Sequence, residues 1–345
     1  MYKSASSAFG KVATAALSCV LATSLLCGCQ NQKSSETLDA PAQEQADTQA
    51  VTVNVAASHG TSSIGLASFM SQMAEEGKFK GAYRVAITTS AEQILPALEE
   101  GAVDIALLPP STAATYYNEV GGITVLAVNS LSPLALVTSD SSISSLADLA
   151  DKTVYFSGAG AEGLCGAQHL LDILHLTDKT QIQVINEPAA AVATLTKEKG
   201  AVAFLAQPYA SLAVTDENNL VHVVDLTDAW DALTADGSRM VGSVVVARSA
   251  FVAEHPKITA EFLAALDESS QLASEDPTVA NPLIADAGIL EQELLDERVT
   301  PGSHPVCIQG AEMKTAVQGF LQVLYDIEPA IVGDAMPADD FYYGI

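Results

Sequence analysis

The sequence predicts an α/β protein of two similar lobes with a hinge and a ligand cleft between them, on a body that begins near Val51. Three observations carry that expectation. Short apolar, β-branched runs alternate with amphipathic stretches, as in a parallel or mixed sheet covered by helices. The alternation restarts at a constant offset of 99 residues. Hydroxyl-bearing and small residues recur where the matched strands end, which is where open α/β sheets place their ligands.

In chain order, residues 52–57 read as a strand and 63–76 as a helix. Residues 83–89 form a strand, 91–100 a helix, 104–108 a short buried strand, 112–119 a helix and 123–129 a strand. The pattern then begins again. Strands are expected over 134–139, 153–156, 181–185, 202–206, 221–225 and 243–247, with helices over 145–149, 162–174, 190–197 and 209–214. After Ala250 only helices are expected, over 257–274, 278–287, 290–299 and 312–325.

At the 99-residue offset Ser58 falls on Ser157, Val85 on Val184, Gly101-Ala102-Val103 on Gly200-Ala201-Val202, Pro109 on Pro208 and Thr112 on Ser211. The helices after Ala247 have no sheet of their own to cover, so they return to the first lobe. Lobe I is therefore expected to hold residues 51–131 and 246–345, and lobe II residues 132–245. Two crossings, near 129–134 and 242–246, would form the hinge.

Ahead of this body, Lys3 and Lys11 precede an apolar, small-residue-rich run that ends Leu26-Cys27-Gly28-Cys29. That is the plan of a secretory signal, too early and too small-residue-rich for a permanent span. The Leu-x-Gly-Cys ending resembles a bacterial lipobox. Residues 1–28 would be a lipoprotein signal peptide, Cys29 the lipidated first residue of the mature chain, and 29–50 a polar tether unable to bury enough surface to fold. The protein would thus work outside the cytoplasmic membrane, held to it by acyl chains. The formal charge of −27 becomes two units more negative when Lys3 and Lys11 leave, which argues against nucleic acid as a partner. Cys165 and Cys307 remain as two buried thiols or a disulfide, which the sequence leaves open.

Residues 158–163, Gly-Ala-Gly-Ala-Glu-Gly, fit G-x-G-x-x-G after a strand and at a helix start, with Glu187 just past the next strand where a ribose-binding acid would stand. An exported nucleotide-dependent enzyme is the rival this motif raises. The compartment argues against it, and the same small residues also let a chain turn tightly and present helix N–H groups to another ligand. No nucleophile elbow, zinc motif or paired C-x-x-C occurs, and His304 with Cys307 is too isolated for a metal. Nothing sets an acid against a base, so no catalytic residue, metal or cofactor is expected. The strand ends instead offer Ser58, His59, Thr61 and Ser62, then Pro110, Ser111 and Thr112. Opposite them stand Ser157, Gly158, Gly160 and Ala161, then Glu187, then Gln207 and Tyr209. Asn129, at the first crossing, joins them as a candidate ligand contact. Helix N-termini with Ser and Thr hydroxyls suit small polar or anionic groups. None of these loops holds Lys or Arg, although Arg239 stands close to the return crossing.

The run Gly60-Thr61-Ser62-Ser63-Ile64-Gly65-Leu66-Ala67 resembles the first-helix start of solute-binding proteins of the nitrate, taurine and sulfonate (NMT1/THI5-like) ABC-transporter type. So do Gly101-Ala102-Val103-Asp104-Ile105-Ala106-Leu107-Leu108-Pro109, Val125-Leu126-Ala127-Val128-Asn129, Ile143-Ser144-Ser145-Leu146-Ala147-Asp148-Leu149 and Phe251-Val252-Ala253-Glu254-His255-Pro256. Gln207 departs from the pattern, in which an acid often precedes Pro-Phe or Pro-Tyr. The resemblance implies a periplasmic-binding-protein-like (type II) fold. It also implies a monomer that captures a small solute, a sulfonate, taurine or nitrate-like ion or a pyrimidine precursor, and passes it to ABC permease and ATPase subunits. The family also includes relatives that handle pyrimidine precursors of thiamine, and their enzymatic cousins use a Cys-rich motif that this chain lacks. A pyrimidine-processing enzyme and, separately, a ligand-sensing lipoprotein without a permease stand as alternatives.

Overall fold

In the computed structural model the described residues are 51–74 and 77–344. The expectations for the signal peptide, Cys29 and the tether lie outside them. The first part of the body runs β1 (Val53–Ser58), α1 (Ala67–Ser71), β2 (Tyr83–Thr88), α2 (Leu95–Glu99), β3 (Ile105–Leu108), α3 (Pro110–Glu119) and β4 (Ile123–Leu131). The middle part is β5 (Leu134–Thr138), β6 (Thr153–Ser157), α4 (Gly160–Ile173), β7 (Gln181–Val184), α5 (Pro188–Lys197), β8 (Val202–Ala206), α6 (Tyr209–Ala213), β9 (Val221–Asp225) and α7 (Leu226–Leu233). The chain closes with β10 (Val241–Arg248), α8 (Ser249–Glu254), α9 (Pro256–Glu275), α10 (Pro277–Asp286), α11 (Val299–Gly302), β11 (Pro305–Ile308) and α12 (Gly310–Ile327).

These strands make two sheets, ordered β11-β4-β10-β3-β1-β2 and β7-β6-β8-β5-β9. In the first, β1 pairs in parallel with β2 and β3, and β10 runs antiparallel between β3 and β4. In the second, β6 pairs in parallel with β7 and β8, and β5 runs antiparallel between β8 and β9. The interior strands β3, β4, β5 and β8 are buried along their whole length. Their continuous apolar runs, rather than alternating ones, follow from helices covering both faces.

The core lies in three layers. On one face of the first sheet, α1, α9 and α10 bury Phe69, Phe262, Leu266 and Ile284 against Val53, Val55, Ile105 and Leu107. On the outer face of the second, α5 and α6 cover Val137, Ala203 and Leu205. The third layer is continuous across both sheets, and α12 is its centre. Met313, Ala316, Val317, Phe320, Leu321 and Leu324 repeat at helical spacing and form its buried stripe. Trp230 of α7 lies edge-on to Phe320 at 5.6 Å, and its indole N–H donates to Ser238 Oγ at 3.1 Å.

Several expectations are corrected. The helix expected over 63–76 is a 3-10 turn, Thr61–Leu66, followed by the short α1. Ser63 Oγ donates to the Ser58 carbonyl at 2.5 Å, and Gly65 is pressed against Ser270 of α9, which tightens the turn. The helix expected over 91–100 is broken before α2, because Pro96 is accommodated only in a first turn. The one expected over 290–299 is also absent. The Asp296 carboxylate accepts from the N–H groups of Arg298 and Val299 at 2.7 and 2.9 Å, which starts α11 afresh. The C-terminal part is not all helical, since β11 adds an antiparallel edge strand to β4. Only Ser132 and Pro133 separate β4 from β5. The return crossing was expected over 242–246, with a lobe boundary after residue 245. Those residues lie inside β10, paired to both β3 and β4, so the chain crosses back over 234–240.

Candidate functional site

The parallel strands of each sheet end facing the other sheet, and a cavity of about 470 Å³ lies between them. From the first sheet it is bounded by Thr61 and Ser62 after β1, by Pro109, Ser111 and Thr112 at the start of α3, by Ser130 on β4 and by Val241 and Gly242 on β10. From the second come residues 158–163, Pro188 at the start of α5, and Ala206, Gln207 and Tyr209 at the end of β8. Ser132 and Pro133 form part of the wall at the crossing, and Phe320 of α12 another part.

Of the residues the sequence singles out, Thr61, Ser62, Ser111, Thr112, Gly158, Gly160, Ala161, Gln207 and Tyr209 meet on this wall. Six others do not. Ser58 is tied down beneath the loop by Ser63. His59 is exposed and borders a separate surface depression with Gly288, Ile289 and Glu291. Pro110 is buried in the first turn of α3. Asn129 sits behind the wall and donates its amide to the Ser62 carbonyl at 2.6 Å. Ser157 is buried under the glycine-rich loop. Glu187 is exposed at the start of α5 and is not among the residues that border the cavity, although the next residue, Pro188, is. Arg239 pairs with Asp231 at 2.8 Å and does not border the cavity.

The glycine-rich loop has steric reasons of its own. At Gly158, with φ of 90°, a Cβ would stand 2.4 Å from the Ala206 Cβ. At Gly163 it would stand 2.5 Å from the Ala159 Cβ. These contacts press β6, β8 and α4 together with no nucleotide required. The N-cap of α4 is Ala159, which has no side-chain acceptor for the first amides of the helix. A fourteen-residue helix thus ends, uncapped, at the cavity.

The residue that sequence reasoning passed over is Glu162, in the first turn of α4. Its Oε1 accepts the Ser111 backbone N–H at 2.7 Å. Pro109 and Pro110 have no N–H, so Ser111 carries the first amide proton of α3. A side chain from one sheet therefore caps a helix of the other, and the bond spans the cleft. Glu162 is half-buried and borders the cavity. Burial pushes its carboxyl up to about 7 against the opposing pull of the Ser111 hydrogen bond. Among the described residues no Lys, Arg or His borders the cavity. Three buried polar atoms at or just behind its wall, Ser132 Oγ, Ser157 Oγ and Asn129 Oδ1, have no hydrogen-bond partner among the described residues. Buried groups of this kind are destabilising by roughly 1–3 kcal/mol each when left unmet, so they mark a place for polar atoms from outside. Ser130 and Ser132 also escaped the sequence reading. Their signal was polar residues inside the otherwise apolar run from Val125 to Leu136.

The family model described as NMT1/THI5 like matches residues 84–280. The match spans more than half of the chain, which belongs to that family. Among solved structures, an ABC transporter protein from Parabacteroides distasonis is similar at a TM-score of 0.67 and 22% identity, covering 85% of this chain and 98% of its own. The periplasmic aliphatic sulphonate binding protein SsuA from Escherichia coli is similar at 0.62 and 16%, covering 82% and 90%. The alkanesulfonate-binding protein SsuA from Xanthomonas axonopodis pv. citri, bound to MOPS, is similar at 0.53 and 14%, covering 84% and 95%. At these identities the likeness is one of fold, and the fold is periplasmic-binding-protein-like. No curated protein matches the chain in sequence.

Proposed function

We propose that this chain is the extracytoplasmic solute-binding component of an ABC importer. It captures a small polar solute between two lobes and delivers it to a permease. One observation carries the reading. At the facing strand ends a cavity gathers an uncapped helix N-terminus with the buried Ser132 hydroxyl, which has no partner among the described residues. A solute there would draw hydrogen bonds from both lobes at once, and those bonds strengthen as water leaves. The crossings at 132–133 and 234–240 would act as the hinge, since few residues need change conformation for the lobes to part. Thr61, Ser62, Ser111, Thr112, Gly160, Ala161, Gln207 and Tyr209 are the proposed contacts.

The cavity offers hydroxyls, amides, one carboxylate and one phenol. Among the described residues it pairs no nucleophile with a base. Family membership supports the same reading. Lipid at Cys29 would hold the protein to the outer face of the membrane, near its permease. Replacing Cys29 by Ala should then abolish labelling by radioactive palmitate, and persisting label would remove the anchor from the account.

Native mass spectrometry of protein purified from its own bacterium should reveal a retained small molecule at one per chain. Small-angle scattering should show the radius of gyration falling as stripped protein is resaturated. An unchanged profile at proven saturation would rule out hinge closure.

A further inference from the structure

Among the described residues the cavity is bordered by one carboxylate and no cation. Its one carboxylate, Glu162, uses Oε1 for the Ser111 amide, while Oε2 has no donor among the described residues. The unmet Oδ1 of Asn129 lies behind the same wall. The other titratable groups near Glu162 are Tyr209 from α6 and Cys165, one turn further along α4. From α3 and α12 the facing residues are Ser111, Thr112 and Phe320, none of them charged. A bare anion entering this cavity meets a like charge in a half-open cleft. A cationic group with N–H donors meets an unpaired acceptor and restores the interactions the carboxylate lost on leaving water.

We infer that the solute carries a cationic N–H group that pairs with Glu162, and that Glu162 is the residue selecting such solutes over bare anions. The inference rests on the solute-binding reading of this cleft.

Matched probes test this by calorimetry at pH 8. Taurine is set against ethanesulfonate and β-alanine against propionate, on the wild type and on Glu162→Gln, which keeps an oxygen for the Ser111 amide. The amine-bearing member of each pair should bind at least tenfold more tightly to the wild type, and Glu162→Gln should erase that preference. The wild-type affinity should fall between pH 8 and pH 5.5, because the carboxyl, at about 7 in the empty cleft, must shed a proton before it pairs with a cation. The fall should be absent in the variant, whereas a merely structural role would leave the pH profile alone. Equal or tighter binding of ethanesulfonate or propionate would overturn the inference, as would a preference that survives in Glu162→Gln. Where none of the four probes binds, the solute retained by wild-type protein decides. A retained molecule with a cationic N–H group that Glu162→Gln fails to retain upholds the inference. One without such a group, or one retained equally by the variant, overturns it while leaving solute binding intact. No retained molecule and no binding would end the solute-binding reading itself.

Discussion

Glu162 and Glu187 stand at the starts of two helices in the middle part of the chain, each shortly after a strand. In sequence Glu187 looks the better ligand contact, because it stands just past a strand where a ribose-binding acid would belong. The difference lies in the strands beneath them. β6 is flanked by β7 and β8, so the helix that follows it opens onto the cleft. β7 is the edge of the sheet, with Gln181, Gln183 and Val184 exposed, so Glu187 opens onto solvent. Which strand is an edge is a long-range fact that local pattern does not carry. Glu162 also has a stability signature. Its folded pKa near 7 lies above the usual carboxylate value of about 4.3, so folding disfavours the ionised form. The penalty is absent where both states are protonated, grows as pH rises between those values, and is complete above 7. Glu162→Gln should therefore stabilise the solute-free protein at pH 8 by on the order of 1–3 kcal/mol, and the gain should vanish by about pH 4. Glu187→Gln should change neither stability nor solute affinity measurably, and denaturant titrations at the two pH values check both variants.

The thiols belong to the same scale. The sequence left a disulfide open, and Cys165 and Cys307 are both free. Burial, helped by the charge of Asp267, pushes the Cys307 thiol up to about 12, and burial raises Cys165 as well. The reactive thiolate is therefore scarce at neutral pH. A thiol-reactive chromophore should label both only when denaturant unfolds the chain, and fast labelling of the native protein at pH 7.5 would contradict this.

At the scale of elements, long periodic segments were legible and short ones were not. The stripe of α12 is visible from Met313 to Leu324, and α9 and α10 come within a few residues of their expected bounds. β11 was missed because four residues beginning with Pro305 give no alternation to read, and only the edge of β4 makes them a strand. α7 was missed because its eight residues follow β9 without a turn signal, and its helical character is fixed by burying Trp230 against α12. The glycine-rich loop was legible as a tight turn, but not in its purpose of bringing β8 against β6. Gly158→Ala tests that purpose. The added methyl meets the Ala206 Cβ at a backbone φ that disfavours any L side chain. A destabilisation of about 1–3 kcal/mol is expected, together with weakened solute binding from a displaced α4. Wild-type stability and affinity in the variant would mean that the loop is more compliant than its packing indicates.

For the whole molecule, the 99-residue offset read from the sequence has a counterpart in topology. The parallel triplets β2-β1-β3 and β7-β6-β8 have the same order, and each is extended by an antiparallel strand, β10 in one sheet and β5 in the other. Ser58 and Ser157 close equivalent strands, and the Pro109 and Pro208 positions both lie where a parallel strand reaches the cavity wall. The duplication was legible because it repeats strand ends, where turn residues are constrained. What it could not reveal was Ser132 and Glu162, which matter only once the two halves face each other. The chain as a whole carries a formal charge of −27, whereas among the described residues the cleft is bordered by a single carboxylate. The account turns on that cleft being where a solute is held. The most direct measurement is a crystal structure of the protein purified with its retained solute. Density is expected between the two sheets, in contact with the amides of Gly160 and Ala161 and the hydroxyl of Ser132. A solute found instead in the surface depression beside His59, with only water between the sheets, would contradict it.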